Sequence, residues 1–278
     1  MSALIESRNL EFAFGSRTIF QKVSFCIEPG EMVALLGANG AGKTTLLKLI
    51  AGLLQPRAGE VFAEGREPRN WDRRELSKFV ALVPQQLEVP FLFSVEEIVA
   101  QGRVPYAGRF GHLSGYDRQV VEHAMESVDV LKLRDRYYAE LSGGEQQRVK
   151  IALGLAQEPK VMLLDEPTQH LDVGRQIEFL SLLRRLNRQG ITIFAAVHDL
   201  SLVRENFTRA ILLLEGRCIA GFTDKVMRPE LLEAAYSVER SALTPYLPGE
   251  SVPEPVASTS RECRRARPLR RRGITRFW

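Results

Sequence analysis

Three short stretches combine residue types and spacings suited to phosphate chemistry. The first is "GANGAGKT", Gly37 to Thr44, which fits G-x-x-x-x-G-K-[ST] in full. Its glycines let backbone N–H groups converge on phosphate oxygens, and the start of a following helix adds to that attraction. Lys43 is expected at the β- and γ-phosphates of a nucleotide, and the Thr44 hydroxyl on Mg²⁺. The second stretch is "VMLLDEP", Val161 to Pro167. Asp165 ends its apolar run, where a carboxylate suits Mg²⁺ through water. Glu166 is expected to point elsewhere and to orient the attacking water, as a general base. The third is "LSGGEQQRV", Leu141 to Val149. Ser142 and Glu145 make an S-x-x-E capping box, and Ser142, Gly143 and Gly144 offer a hydroxyl and unobstructed N–H groups at a helix start. A capped helix explains that pattern by itself; the same geometry also makes an anion site. His198 follows "GITIFAAV", on the sheet edge where ligands bind in open α/β folds, within reach of a γ-phosphate. His170 carries no catalytic expectation.

These groups need strand ends and helix starts to hold them. "LIESRNLEFAF" and "TIFQKVSFCI", separated by Gly15 to Arg17, read as antiparallel strands. "EMVALLG" reads as a buried strand entering the glycine loop. A helix is expected over Lys43 to Leu54, with Leu46, Leu47, Ile50 and Leu53 on its apolar face. "GEVFAEG" and "FVALVP" read as short strands. From Phe91 to Gln157 the pattern turns helical, in "SVEEIVAQG", Asp117 to Val128 and Gly143 to Gln157. That span is expected to be a helical insertion. Parallel-strand signals return in "KVMLLDE", "GITIFAAVHD" and "RAILLLEG". A helix over Val173 to Asn187 lies between the first two, with Gly190 as its stop. "VMRPELLEAAY" adds a short helix.

The location of charge narrows the function classes. The chain has 278 residues, 45% of them apolar, and a formal charge of +4, enough apolar content for a sizeable core. From Pro248 to Trp278 there are eight arginines and three glutamates, a net of +5, so the remaining body is near −1. A nucleic-acid-binding domain carries its basic residues on the folded body, so no nucleic-acid partner is expected. Cys26, Cys218 and Cys263 lack metal-ligand spacing and fit a reducing compartment. The first residues show no signal-peptide core, and runs such as "ITIFAAV" are too short to span a bilayer.

From about Leu4 to Tyr246 the sequence resembles the nucleotide-binding subunit of an ABC transporter. "GANGAGKTT" is similar to that family's Walker A motif, which implies nucleotide contacts at Gly37, Asn39, Gly40, Gly42, Lys43, Thr44 and Thr45. "VMLLDE" resembles Walker B, "LSGGEQQRV" the signature sequence and "HLD" the D-loop with Asp172. His198 matches the switch histidine. Gln85 in "ALVPQQ", with Gln86 adjacent, matches the glutamine that senses Mg²⁺ and couples to the membrane subunit. Phe14 in "FAFG" matches the aromatic that stacks on adenine. The resemblance implies a RecA-like P-loop NTPase α/β core with an antiparallel β subdomain and a helical insertion. On that basis an ABC ATPase domain spans residues 1–247, with about 91–157 inserted, and 248–278 form a Pro/Arg-rich disordered tail.

The resemblance also implies ATP and Mg²⁺ as cofactors and ATP hydrolysis coupled to transport. Two copies would pack head to tail, with Ser142, Gly143 and Gly144 of one closing over the γ-phosphate held by the other, and Asp172 at the seam. Further partners would be transmembrane permease subunits and, indirectly, a substrate-binding protein, at the cytoplasmic face of the inner membrane. "SVEEIVAQGRVPY" resembles the "GR-x-P-H" region of importers for haem, iron–siderophore complexes and vitamin B12, with Tyr106 in place of the histidine. Residues Gln101 to Gly111 are expected to speak to the membrane partner. The alternatives are a metal-ion or molybdate importer, an exporter, or a soluble ABC ATPase of translation or repair.

Overall fold

Four strands with apolar side chains on both faces form the middle of the fold. The computed structural model describes residues 3–89, 91–107, 112–169 and 171–243. His170, Cys263 and the tail therefore lie outside the described residues. The chain begins with a hairpin of β1 (Ile5–Phe14) and β2 (Arg17–Ile27), followed by β3 (Met32–Leu36), α1 (Lys43–Ile50), β4 (Ala58–Ala63), α2 (Arg73–Phe79) and β5 (Val80–Val83). Helices α3 (Val95–Ala100), α4 (Gly115–Ser127) and α5 (Gly143–Leu155) come next, and no strand separates them among the described residues. Then follow β6 (Val161–Asp165), α6 (Val173–Arg188), β7 (Thr192–Ala196), α7 (Leu200–Asn206), β8 (Arg209–Leu214) and β9 (Arg217–Phe222). The short helices α8 (Thr223–Val226), α9 (Pro229–Tyr236) and α10 (Arg240–Leu243) finish it.

The large sheet has the order β5-β6-β7-β3-β8-β9, parallel except for β9. In β3, Met32, Ala34 and Leu36 enter one core while Val33 and Leu35 enter the other. The same alternation splits β6, β7 and β8 between the two layers. Burial on both faces is why these strands read as unbroken apolar runs. The small sheet, β2-β1-β4, is antiparallel and packs α1 beneath it.

Two elements escape the sequence pattern. Helix α2 buries only Leu76 and Phe79 and starts on an Asp72 cap. Strand β9 is an edge strand with weak alternation. Helix α1 is shorter than its apolar spacing predicts. It ends at Ile50, because Gly52 turns left-handed at φ +69° and Leu53 N–H returns to the Lys48 carbonyl at 2.9 Å. Among the described residues no helix is long and apolar enough to cross a membrane.

Candidate nucleotide site

The register of the sheet gathers the predicted residues at one edge. Leu35 of β3 and Asp165 of β6 both pair with Ala196 of β7. The glycine loop after β3, the acidic pair ending β6 and His198 after β7 therefore leave the sheet side by side. This is the carboxyl edge, where α/β sheets bind ligands.

Gly37, Gly40 and Gly42 have φ of +147°, +79° and +100°, values that L side chains rarely adopt. At Gly42 a Cβ would lie 2.6 Å from Ile19 Cγ2 and 2.7 Å from Phe20 Cζ. The loop thus rests on the hairpin with no room for a side chain. Gly42 also serves as the N-cap of α1, which has no side-chain cap and no acidic residue in its first turn. Such a helix start attracts an anion through its free N–H groups and dipole. Lys43 is buried, and its ammonium donates to the Gly37 carbonyl at 2.9 Å and the Ala38 carbonyl at 3.3 Å. Burial lowers its pKa. Asn39 and Gly40 are exposed at the tip of the loop, and Thr45 is half-buried on α1.

Thr44 Oγ1 donates to Asp165 Oδ2 at 2.7 Å, while Asp165 Oδ1 is buried with no hydrogen-bond partner. Burial raises the pKa of this carboxyl, against the Thr44 hydrogen bond. A hydroxyl beside a buried carboxylate oxygen with spare lone pairs is a donor set for a small hard cation. Among the described residues no cluster of three or more His, Cys, Asp or Glu could hold a metal. That fits an ion whose remaining ligands are phosphate and water.

Glu166 has φ +50°, a strained value for a non-glycine residue. Its side chain departs from that of Asp165. Glu166 Oε1 meets His198 Nε2, and Oε2 accepts from Gln85 Nε2 at 3.0 Å. Gln85 also donates to Gln169 Oε1. Gln85, Glu166 and Gln169 line a cleft of about 340 Å³ with Tyr138, Gly143, Gln147 and Lys150.

The remaining predicted residues stand outside this hydrogen-bonded set. Phe14, at the end of β1, is 54% exposed, with its ring edge-on to Phe12 at 4.8 Å. Ser142 caps α5, where Glu145 N–H approaches Ser142 Oγ at 3.5 Å and the Ser142 hydroxyl donates to Glu145 Oε2 at 2.7 Å. A Cβ at Gly143 would meet nothing within 4 Å, whereas one at Gly144 would meet Arg175 Nη1 at 3.1 Å. Asp172 caps α6 through Arg175 N–H at 3.0 Å and pairs with Arg175 Nε at 3.2 Å. Arg175 thus lies between Asp172 and the glycines of α5.

One participant was not legible. Tyr236 of α9 accepts the Gly37 N–H at 3.2 Å, and no local pattern marks a residue 199 positions away. Within the "GRVPY" stretch, two side chains turn inward. Arg103 is 1% exposed, bonded to Asp117 at 2.9 Å, Glu158 at 2.6 Å and the Ala156 carbonyl at 2.8 Å. Tyr106 lies 3.6 Å from its guanidinium and donates to the Gln157 carbonyl at 2.8 Å. These two residues fasten the end of α5 from within, while Val104 is exposed. Residues 108–111 lie outside the described residues.

A glycine loop after a parallel strand, a hydroxyl paired to an acidic strand end and a histidine just beyond the intervening strand define a P-loop nucleotide hydrolase. The sequence profile of ABC transporters matches residues 20–169. The iron(3+)-hydroxamate import ATP-binding protein of Bacillus subtilis (strain 168) is 35% identical over 242 residues, 86% of this chain and 90% of that one. The hemin import ATP-binding protein of Rhodopseudomonas palustris (strain HaA2) is 38% identical, over 86% and 92% of the two chains. The ferric enterobactin transport ATP-binding protein of Escherichia coli (strain K12) is 33% identical, over 93% and 96%. Among solved structures, an inward-facing transporter provisionally typed as a metal-chelate ABC transporter superimposes with a TM-score of 0.76. It is 31% identical, over 84% of this chain and 89% of that one. The dimeric bacterial ABC transporter cassette MJ0796 superimposes with a TM-score of 0.69 at 29% identity, over 79% and 98%. The chain belongs to the ABC transporter family, as its ATP-hydrolysing component.

Proposed function

We propose that this chain is the ATPase subunit of an ABC importer that takes up a metal complex, such as haem, an iron–siderophore or cobalamin. The observation carrying the hydrolytic part is Glu166, held by His198 and Gln85 beside the Thr44–Asp165 pair. The class of cargo is supported by the hemin, iron(3+)-hydroxamate and ferric enterobactin systems to which the relatives belong.

In this reading Gly37 to Thr45 cradle the ATP phosphates, and Lys43 exchanges the loop carbonyls for phosphate oxygens. Phe14 offers its exposed face to adenine. Thr44 and Asp165, with Gln85 at the edge, would hold Mg²⁺, which supplies positive charge to the β- and γ-phosphates when bound. Glu166 accepts a proton from the attacking water, and His198 stabilises charge on the transferred phosphoryl group. Ser142, Gly143 and Gly144 close over the phosphate of a second copy packed head to tail, with Asp172 at the seam. Closure excludes water and strengthens the fixed dipoles. The exposed Phe91 and Leu92 beside α3, with Val104, suit contact with a permease at the cytoplasmic face of the membrane. A substrate-binding protein would deliver cargo on the far side.

The test has two parts. E166Q is expected to bind ATP and to dimerise with it, while turnover falls at least about 100-fold; normal turnover would refute the role of Glu166. Uptake of labelled haem, iron–siderophore or cobalamin by proteoliposomes holding the chain and its permease tests the cargo.

A further inference from the structure

Helix α5 is capped by Ser142 and, two turns later, sends Lys150 back to the core sheet. Lys150 is 6% exposed, and its ammonium donates to the Gln85 carbonyl at 2.5 Å and the Pro84 carbonyl at 3.3 Å. Burying an ammonium is costly unless its donors are satisfied. No carboxylate ion pair offsets that cost at Lys150 among the described residues. A lysine on a helix ordinarily keeps its head in water. Here the head reaches the place where β5 stops: strand pairing ends at Val83 opposite Leu164, leaving the next two carbonyls beyond the ladder. Lys150 supplies the donor that the sheet no longer provides.

The second attachment of Gln85 leads to the hydrolytic group. Its side-chain amide donates to Glu166 Oε2 at 3.0 Å and to Gln169 Oε1, while Glu166 Oε1 meets His198. A continuous path of polar contacts therefore runs from the helix that starts at Ser142 to the carboxylate at the end of β6. We propose that Lys150 is a positioning residue, fixing the Gln85 backbone and, through the Gln85 amide, the Glu166 carboxylate. The placement of α5 then sets the geometry of hydrolysis in its own chain. When Ser142 to Gly144 engage a neighbour's nucleotide, the same helix carries Lys150, so occupancy of one site adjusts the carboxylate of the other. This inference rests on the proposed role of Glu166 in hydrolysis.

The test uses the full chain with ATP and Mg²⁺. K150M is expected to lower kcat about tenfold with KM for ATP within about twofold, because a displaced catalytic group costs rate rather than binding. K150R, which keeps charged donors, is expected to retain most of the rate. K150M removes a desolvated charge but also leaves the Pro84 and Gln85 carbonyls without their donor, so its thermal midpoint is measured alongside; should it fall, K150Q enters the same comparison. If Lys150 acts through Gln85, K150M combined with Q85A is no slower than Q85A alone. A K150M rate within twofold of wild type, a change confined to KM, or multiplicative losses in the double variant would each overturn the proposal. A second readout is independent of turnover: amides of residues 85–89 should exchange with solvent faster in K150M. Unchanged exchange overturns the contact itself. A wild-type chain with no ATPase activity but faster exchange in K150M would instead count against the role of Glu166.

Discussion

Single residues decide whether the glycine loop can form. Gly40 and Gly42 both have positive φ, yet their surroundings differ. A Cβ at Gly40 meets nothing within 4 Å, whereas one at Gly42 collides with Ile19 and Phe20. G40A should therefore cost only the left-handed backbone strain, about 1 kcal/mol. G42A adds overpacking against the hairpin and should cost about 3 kcal/mol or more, with loss of nucleotide binding. Urea unfolding and titration with a fluorescent ATP analogue measure both, and equal costs would contradict the packing of the loop on β2. The G-x-x-x-x-G-K-[ST] spacing marks Gly42 and the resemblance to Walker A adds Gly40, but neither can rank them, since the ranking depends on β2 folding over the loop. The divergence of Asp165 and Glu166 follows the same logic. The acidic pair is visible in "LLDEP", and its two directions arise from the left-handed backbone at Glu166. Tyr236 was invisible for a different reason, because only the folded chain brings α9 to Gly37.

At the scale of elements, the segment that carries α3, α4 and α5 is organised by caps and by the buried Arg103. Ser94 with Glu97, Ser114 with Asp117 and Ser142 with Glu145 form complete capping boxes, so each helix start is locally encoded. Their mutual packing depends on Arg103, which joins Asp117 at the start of α4 to Ala156 and Glu158 beyond α5. R103M leaves the Asp117 carboxylate without its ion-pair partner and should destabilise the fold by about 3–5 kcal/mol in chemical denaturation. A loss below about 1 kcal/mol would mark the cluster as solvated. The same cluster predicts a pH dependence. The Ser114 hydroxyl bond, followed by its N–H and Arg103, holds the Asp117 carboxyl below its usual range. A depressed carboxylate contributes its stability fully above the unfolded value of about 4 and loses it as pH falls through the folded value. The stability gap between wild type and D117N should therefore be widest near pH 6 and narrow below about pH 4; a gap constant down to pH 3 would contradict this. Strands β3, β6, β7 and β8 were legible because both faces are buried, whereas β9, half exposed at an edge, and α2, with two buried residues, leave almost no periodic signal.

For the molecule as a whole, the decisive question is ownership of the serine-glycine-glycine patch. Within one chain Ser142 already has a role, with its hydroxyl and N–H both on Glu145 Oε2. S142R would remove that cap, at about 1 kcal/mol, and so mixes a folding defect with any assembly defect. Gly143 separates the two. A Cβ there meets nothing within 4 Å, and the residue sits in the first turn of α5. Any residue but proline has a higher helix propensity than glycine at that position. G143R should consequently leave the thermal midpoint unchanged or higher and spare ATP binding by the single chain, since the loop after β3 is untouched. In a head-to-tail pair the added side chain would fill the space reserved for the neighbour's γ-phosphate. ATP-driven dimerisation of an E166Q/G143R chain, read by light scattering, should then be lost, as should the turnover of G143R alone. The dimeric form of the related MJ0796 cassette shows that chains of this fold do pair. Turnover surviving in G143R would mean that each chain completes its own site.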